Sequence, residues 1–176
     1  MSNSKSRLDV KKTYKLFIGG AFPRSESGRT YEVKDAKGEF IANPSLASRK
    51  DLRDAVVAAR SAHSGWAGAT AFNRGQILYR IAEMMEGRSA QFIDEIVALE
   101  GLTPAAAKKQ VEEAIDLWVW YSGWCDKIGS IYGSTNAVSG SFYNFTIPDS
   151  LGVVAVFAPA KPSLLGLVHC LAPVLA

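Results

Sequence analysis

Few side chains in this sequence stand where they could do chemistry, and each one narrows the reading. Cys170 directly follows His169, a nucleophile beside a base, but consecutive residues of a helix point about 100° apart, so thiol and imidazole do not face each other. Cys125 is the other cysteine. Neither fits a metal-ligand or redox spacing, so both are expected in the core, no metal site is expected, and without a secretory signal no disulfide is expected. His63 stands just before Gly65, where a helix is predicted to end, and reads as a partner of the helix dipole. The remaining candidates are Phe157, Ala158 and Pro159, with Lys161 close behind. They close a long apolar run, and in open α/β sheets ligands bind at the carboxyl ends of such strands. No Gly-x-Gly-x-x-Gly follows that run, so the phosphate cradle of common dinucleotide-binding domains is absent.

The elements that must hold these residues begin with the run itself. Leu151 to Ala158 is unbroken apolar sequence rich in Val153, Val154, Val156 and Phe157, the pattern of a strand buried on both faces. Pro159 to Ser163 reads as a turn, Ser163 is placed to cap a helix with its hydroxyl, and Leu164, Leu165, Leu167, Val168, Leu171 and Val174 cover more than one face of that helix. One strand and one helix of a doubly wound sheet are therefore expected.

Upstream, Lys15–Ile18 and Arg29–Val33 read as two strands of a surface hairpin around Gly19-Gly20. Ser48 with Asp51 forms a variant capping box that opens a helix ending by Gly65. Thr70 to Gly87 is a second helix, with Ile77, Leu78, Ile81, Met84 and Met85 on one side. Ser89 starts a third, which Gly101 terminates in a left-handed conformation. Thr103-Pro104 opens the longest helix, predicted to run to about Ile131 with Val111, Ile115, Trp118 and Cys125 inward. Trp120 and Trp124 lie toward a neighbouring face. Three Trp on one helix suit either a ligand platform or packing, and core and subunit packing is the expected role, since aromatics dominate both kinds of contact. Gly133 to Gly140 reads as a loop, and Ser141 to Ile147 as a strand with one wetter side.

The 176 residues suffice for one domain of ordinary composition for a soluble globular protein. The net charge of +3 originates in the first fifteen residues, where Lys5, Arg7, Lys11, Lys12 and Lys15 oppose only Asp9; the remainder holds fifteen positive and sixteen negative groups. The basic excess reads as a solvated tail, and no basic patch with interleaved aromatics points to nucleic acid. From Ile128 onward, Asp149 and Lys161 are the only members of the Asp, Glu, Lys, Arg set. Such a stretch is expected to be covered by other parts of its chain or by another subunit. It does not suit a bilayer, because Pro159, Lys161 and Pro162 would fall near the middle of a span of about twenty residues. The first thirty residues show no apolar stretch ending in a cleavage-like site, and the expected location is the cytoplasm.

The string Asp149-Ser150-Leu151-Gly152-Val153-Val154-Ala155-Val156-Phe157-Ala158-Pro159 resembles the segment entering the coenzyme site of the aldehyde dehydrogenase superfamily. There it typically reads Pro-Leu-Gly-Val-Val, an apolar pair, then Ala-Pro-Trp-Asn. Leu16-Phe17-Ile18-Gly19-Gly20, Asn43-Pro44, Asp54 to Arg60, Trp66, Arg74 to Glu86 and Ser122-Gly123-Trp124-Cys125-Asp126-Lys127-Ile128 follow the superfamily's order and about its spacing, so the resemblance covers nearly the whole chain from Tyr14. Two departures stand out: Ala160 and Lys161 replace the Trp-Asn pair, and Pro162 and Ser163 replace the apolar residue and Pro that follow. In the superfamily that Asn helps hold an oxyanion, a role worth a few kcal/mol in comparable sites.

The resemblance implies an α/β fold: a helical segment followed by the first strand and helix of an incomplete Rossmann-like coenzyme domain, the amino-terminal part of an aldehyde dehydrogenase-like fold. Residues 1–13 would be a basic disordered tail, 14–133 the hairpin and helices, 134–150 an oligomerisation-type strand, and 151–176 a truncated first β-α unit of the NAD(P)-binding sheet. It further implies oxidation of an aldehyde to a carboxylic acid with NAD or NADP, and a homo-oligomer or a missing remainder of the enzyme as partner. Phe157, Ala158 and Pro159 would touch the coenzyme. The catalytic Cys and Glu would follow Ala176, leaving no catalytic residue here and no activity for the chain alone. The alternative is a catalytically silent relative serving as a structural or interaction subunit.

Overall fold

Ser48 and Asp51 close on each other as their spacing predicts. The Ser48 amide donates to Asp51 Oδ2 at 2.8 Å and the Asp51 amide to Ser48 Oγ at 3.3 Å. This reciprocal pair satisfies two otherwise orphaned groups at the start of α1 (Arg49–Ala67). The computed structural model describes residues 13–176 and divides into two compact units, one up to Ser61 and one from Ala62 to Ala176. The predicted basic tail lies, apart from Thr13, outside the described residues.

In the first unit the chain turns at Gly19-Gly20, whose φ values of 60° and 78° suit glycine, and Ile18 and Ala21 exchange backbone hydrogen bonds of 3.0 and 3.1 Å. β1 (Val33–Lys34) pairs antiparallel with β2 (Phe40–Ala42). The predicted pairing of Lys15–Ile18 with Arg29–Val33 therefore does not form. Each segment instead closes on its nearest neighbour through a tight turn, the second held by Asp35 Oδ1 accepting the amides of Lys37 and Glu39 at 2.8 Å each. Short closures cost less chain entropy than the longer one.

Asp51, 5% exposed, also accepts the Ser25 hydroxyl at 2.7 Å and the Glu26 amide at 3.3 Å. The Ser48 amide and then the Ser25 hydroxyl hold its carboxyl well below the ordinary 3.8, at about 2, against the opposing effect of burial.

α1 runs two residues past Gly65. A helical glycine costs about 1 kcal/mol, and here Trp66 holds the last turn by donating from Nε1 to the Leu175 carbonyl at 3.2 Å. His63 is consequently inside the helix rather than at its end, and its Nε2 lies 2.9 Å from Ser150 Oγ.

In the second unit, α2 (Ala71–Glu86), α3 (Ser89–Glu100) and α4 (Pro104–Trp124) start where predicted, and α2 and α3 also stop there. Thr70 Oγ1 accepts from the Asn73 amide and Thr103 Oγ1 from Ala106, at 3.2 and 3.3 Å. Gly101 adopts φ 73° and returns its amide to the Val97 carbonyl. α4 ends at Trp124, short of Ile131; after the break, in which Lys127 Nζ caps the Gly123 carbonyl at 2.5 Å, the chain resumes as α5 (Ile128–Tyr132).

The main core joins Leu78, Ala82 and Met85 of α2, Ala114 and Trp118 of α4, Cys125, and Val168 and Ala172 of α6 (Ser163–Leu175). A second cluster joins Ile96 to Ala107 and Val111. Ile77 and Met84, predicted inward, are 46% and 53% exposed, because α4 and α6 cover the narrower stripe that includes Leu78, Ala82 and Met85. Gly75 permits the close approach of α2 and α4: a methyl there would sit 2.8 Å from the Ser122 carbonyl oxygen.

β3 (Ser134–Asn136) forms inside the predicted 133–140 loop and pairs antiparallel with β4 (Asn144–Thr146), which is shorter than the predicted strand. β4 is exposed throughout, so it has no dry side here.

Residues 151–158, predicted as a doubly buried strand, form no ladder; Leu151 is 94% and Phe157 89% exposed. A strand is completed by neighbours that take its backbone groups, and no described strand lies beside this one.

The first unit should lose stability as pH falls from about 4 toward 2, since Asp51 is charged in the fold at pH values where the unfolded chain has taken up a proton. Asp51→Asn should lower stability at neutral pH and flatten this acid limb, as followed by urea unfolding between pH 2 and 6.

Candidate functional site

The turn after residue 158 is built from three helices. Pro162 rather than Ser163 occupies the capping position of α6, and the Ser163 hydroxyl donates to Glu100 Oε1 in a very short contact. The predicted self-capping role of Ser163 is thus replaced: an ionised carboxylate is a stronger acceptor than a hydroxyl, so the hydroxyl turns to it as a donor. The Ser163 amide donates to the same Oε1 at 2.8 Å, while the Leu164 and Leu165 amides point at Gln110 Oε1 at 3.2 and 3.5 Å. Gln110 Nε2 in turn donates to Glu100 Oε2 at 3.4 Å. Glu100 ends α3 and Gln110 comes from α4, so side chains of two other helices cap the first turn of α6.

Burial pushes the Glu100 carboxyl up, but the Ser163 hydroxyl and amide, Gln110 and the charge of Lys161 outweigh it and hold the group below its ordinary value. Lys161 Nζ donates to the Glu100 backbone carbonyl at 3.0 Å, at the electronegative end of α3. Its ammonium is therefore tied to the scaffold. Pro159 rests against Gly166, where a methyl group would overlap the proline ring, with Cδ only 2.9 Å away.

Phe157, Ala158 and Pro159 are brought together as an exposed ledge beside this clamp. Cys170 is half-buried rather than in the core, and its Sγ lies 4.0 Å from the Phe157 carbonyl. Cys125 is buried as predicted, and burial, the largest influence, raises its thiol above the ordinary range. His169 is exposed on α6. Among the described residues no group of three or more His, Cys, Asp or Glu side chains is arranged to hold a metal ion, and no helix is long and apolar enough to cross a membrane.

The ledge is apolar and exposed. It does not supply a phosphate site, because the α6 amides that could bind an anion are already taken by Glu100 and Gln110. The sequence reading missed both residues. Glu100 stands where a helix ends before Gly101, Gln110 is unremarkable on a helix, and their separations of 63 and 54 residues from α6 leave no local signal.

A model of the aldehyde dehydrogenase family matches residues 22–176. The mitochondrial 10-formyltetrahydrofolate dehydrogenase of Homo sapiens is 30% identical over 168 residues, 90% of this chain and 18% of that protein. Retinal dehydrogenase 2 of Homo sapiens is 33% identical over 174 residues, 96% of this chain and 33% of that protein. Among solved structures, PnpE in complex with nicotinamide adenine dinucleotide is similar at a TM-score of 0.88 and 26% identity, over 92% of this chain and 33% of that one. The salicylaldehyde dehydrogenase of Pseudomonas putida G7, complexed with salicylaldehyde, shares the fold at a TM-score of 0.85 and 21% identity, over 93% and 34%. The chain thus spans between 18% and 34% of the length of these relatives. Its fold is an amino-terminal portion of the α/β architecture they share.

Glu100→Ala should strand the Ser163 amide and part of Gln110, at a cost of about 3 kcal/mol in thermal or urea unfolding. Gly166→Ala should cost about 1–3 kcal/mol by displacing Pro159. An unchanged midpoint in both variants would remove the clamp described above.

Proposed function

Because the chain belongs to the aldehyde dehydrogenase family, we propose that it is the amino-terminal part of an enzyme that oxidises an aldehyde to a carboxylic acid with NAD or NADP. The observation that carries this reading is the Phe157-to-Ser163 turn leading into α6, within a fold similar to a relative solved with nicotinamide adenine dinucleotide. In this reading residues 14–133 are the opening hairpin and helices of the coenzyme domain, 134–150 the oligomerisation strand and 151–176 its first β-α unit. The exposed edges of β3 and β4 then pair with another copy of the protein. The unpaired thiols of Cys125 and Cys170 accord with a cytoplasmic setting.

Phe157, Ala158 and Pro159 would form one wall of the coenzyme site, and the first amides of α6, taken by Glu100 and Gln110, would not be the groups that hold its phosphates. Bound there, NAD or NADP supplies the hydride acceptor. The Phe157 ring, exposed here, would shield that wall from water once a coenzyme covered it, and Pro159, wedged on Gly166, fixes the height of the turn. No described residue serves as nucleophile or base in this reaction. Cys125 is buried with a raised pKa, and no base is hydrogen-bonded to Cys170 among the described residues. Those groups come from elsewhere in the enzyme.

A second reading, a catalytically silent relative, is favoured by one observation: at the family's Asn position stands Lys161, whose ammonium is spent on the Glu100 carbonyl. It offers no fixed amide donor to an oxyanion. The two readings separate in an assay of the natural protein that carries this chain, following NAD or NADP reduction with a panel of short, aromatic and amine-bearing aldehydes. The enzyme reading expects aldehyde-dependent reduction, with Lys161→Asn raising kcat by about 10²-fold. Absence of turnover in both proteins would leave the silent relative standing.

A further inference from the structure

His63 Nε2 and Ser150 Oγ lie 2.9 Å apart, although 87 positions separate them in the chain. At that distance an imidazole with its own proton on Nδ1 can take the proton of a hydroxyl. The other hydroxyls have different partners. Ser122 donates to the Val119 carbonyl, and Thr70 and Thr103 accept helix amides, so none of these meets a base. Ser25 and Ser163 donate to Asp51 and Glu100, carboxylates that the fold holds below their ordinary values and that are correspondingly poor proton acceptors. Ser48 faces Glu26, and an ordinary carboxylate binds a proton roughly a hundredfold less tightly than an ordinary imidazole. Of these hydroxyls, Ser150 alone faces an imidazole.

The backbone around Ser150 suits attack by its hydroxyl. Asp149 Oδ1 accepts the Ser150 amide at 2.8 Å, which steadies the backbone that carries the side chain. The next two amides, those of Leu151 and Gly152, have no hydrogen-bond acceptor among the described residues. The amide that follows a nucleophile is a recurrent donor to the oxyanion formed on attack. Ser150 is exposed and Leu151 beside it is 94% exposed, so a small acyl compound can reach the hydroxyl.

We propose that Ser150 is a nucleophile, with His63 as its general base, toward acyl groups carried on a good leaving group, as in an aryl ester or a thioester. As Ser150 Oγ bonds to the acyl carbon, its proton passes to His63 Nε2. The bond from that carbon to the leaving group then breaks; the leaving group departs with the electron pair and takes the proton from the imidazolium. The product is an acylated Ser150 beside a neutral His63, with nothing oxidised or reduced. The pair is assigned no part in aldehyde oxidation, and the proposal does not rest on that reading.

The test is acyl transfer from p-nitrophenyl acetate to the full 176-residue chain, read by peptide mass spectrometry as acetyl on identified side chains. Ser134, exposed and donating to Asn136 Oδ1 at 3.0 Å, is the internal reference. No Lys or Arg lies between it and Ser150, so one tryptic peptide carries both. Ser150 should be acetylated at least about tenfold faster than Ser134. His63→Gln can still hydrogen-bond but cannot accept the proton; it should slow labelling of Ser150 at least about tenfold and leave Ser134 unchanged. Circular dichroism checks that this variant folds, and the comparison of the two serines in the unaltered chain needs no variant. Equal rates at Ser150 and Ser134, or unchanged labelling of Ser150 in a folded His63→Gln, would overturn the proposal and leave the contact a surface hydrogen bond only.

Discussion

The second unit depends on how α6 is fastened. A helix with thirteen residues and an almost wholly apolar sequence could slide or rotate over the apolar faces of its neighbours, since burial alone is not directional. Polar contacts at its two ends remove that freedom. At the amino end, Glu100 and Gln110 take the first amides; at the carboxyl end, Trp66 Nε1 and Arg74 Nε donate to the carbonyls of Leu175 and Ala176 at 3.2 and 3.1 Å. Each of these is a directional, distance-sensitive bond, and those to charged groups are the stronger kind. Between the fixed ends, Val168 and Ala172 meet α2 and α4 in one register.

That fastening governs the turn that precedes α6. Lys161, Pro162 and Ser163 are each held from the α3 side or by the helix they begin, and Pro159 has its place set by the missing side chain of Gly166. A loop of so few residues thus inherits the rigidity of helices. The same bonds close the α6 amino terminus to anions.

Local physics was largely legible in the residues. The caps at Ser48, Thr70, Thr103 and Gly101 act within a few positions, and each acts as its spacing suggests. Apolar periodicity correctly marked α6 and the inward faces of Val111, Trp118 and Cys125. Apart from the carboxyl ends of α1 and α4, what failed was non-local. The amino-terminal strands chose nearer partners, β3 formed within a Gly- and Ser-rich stretch where the Asn136 amide donates to the Asn144 and Thr146 side chains of β4, and the apolar run at 151–158 reads as a strand only in the company of others. Glu100 and Gln110 escaped notice for the same reason.

The wedge of Pro159 on Gly166 also constrains how this sequence can drift over evolutionary time. Bulk cannot accumulate at position 166 while a ring sits at position 159, so neither site explores new residues by itself. Viable lineages would have to change them as a couple, or reach one through a transiently weakened ancestor. In a comparison of descendants the two columns would then carry a shared, covarying signature across a gap of seven positions.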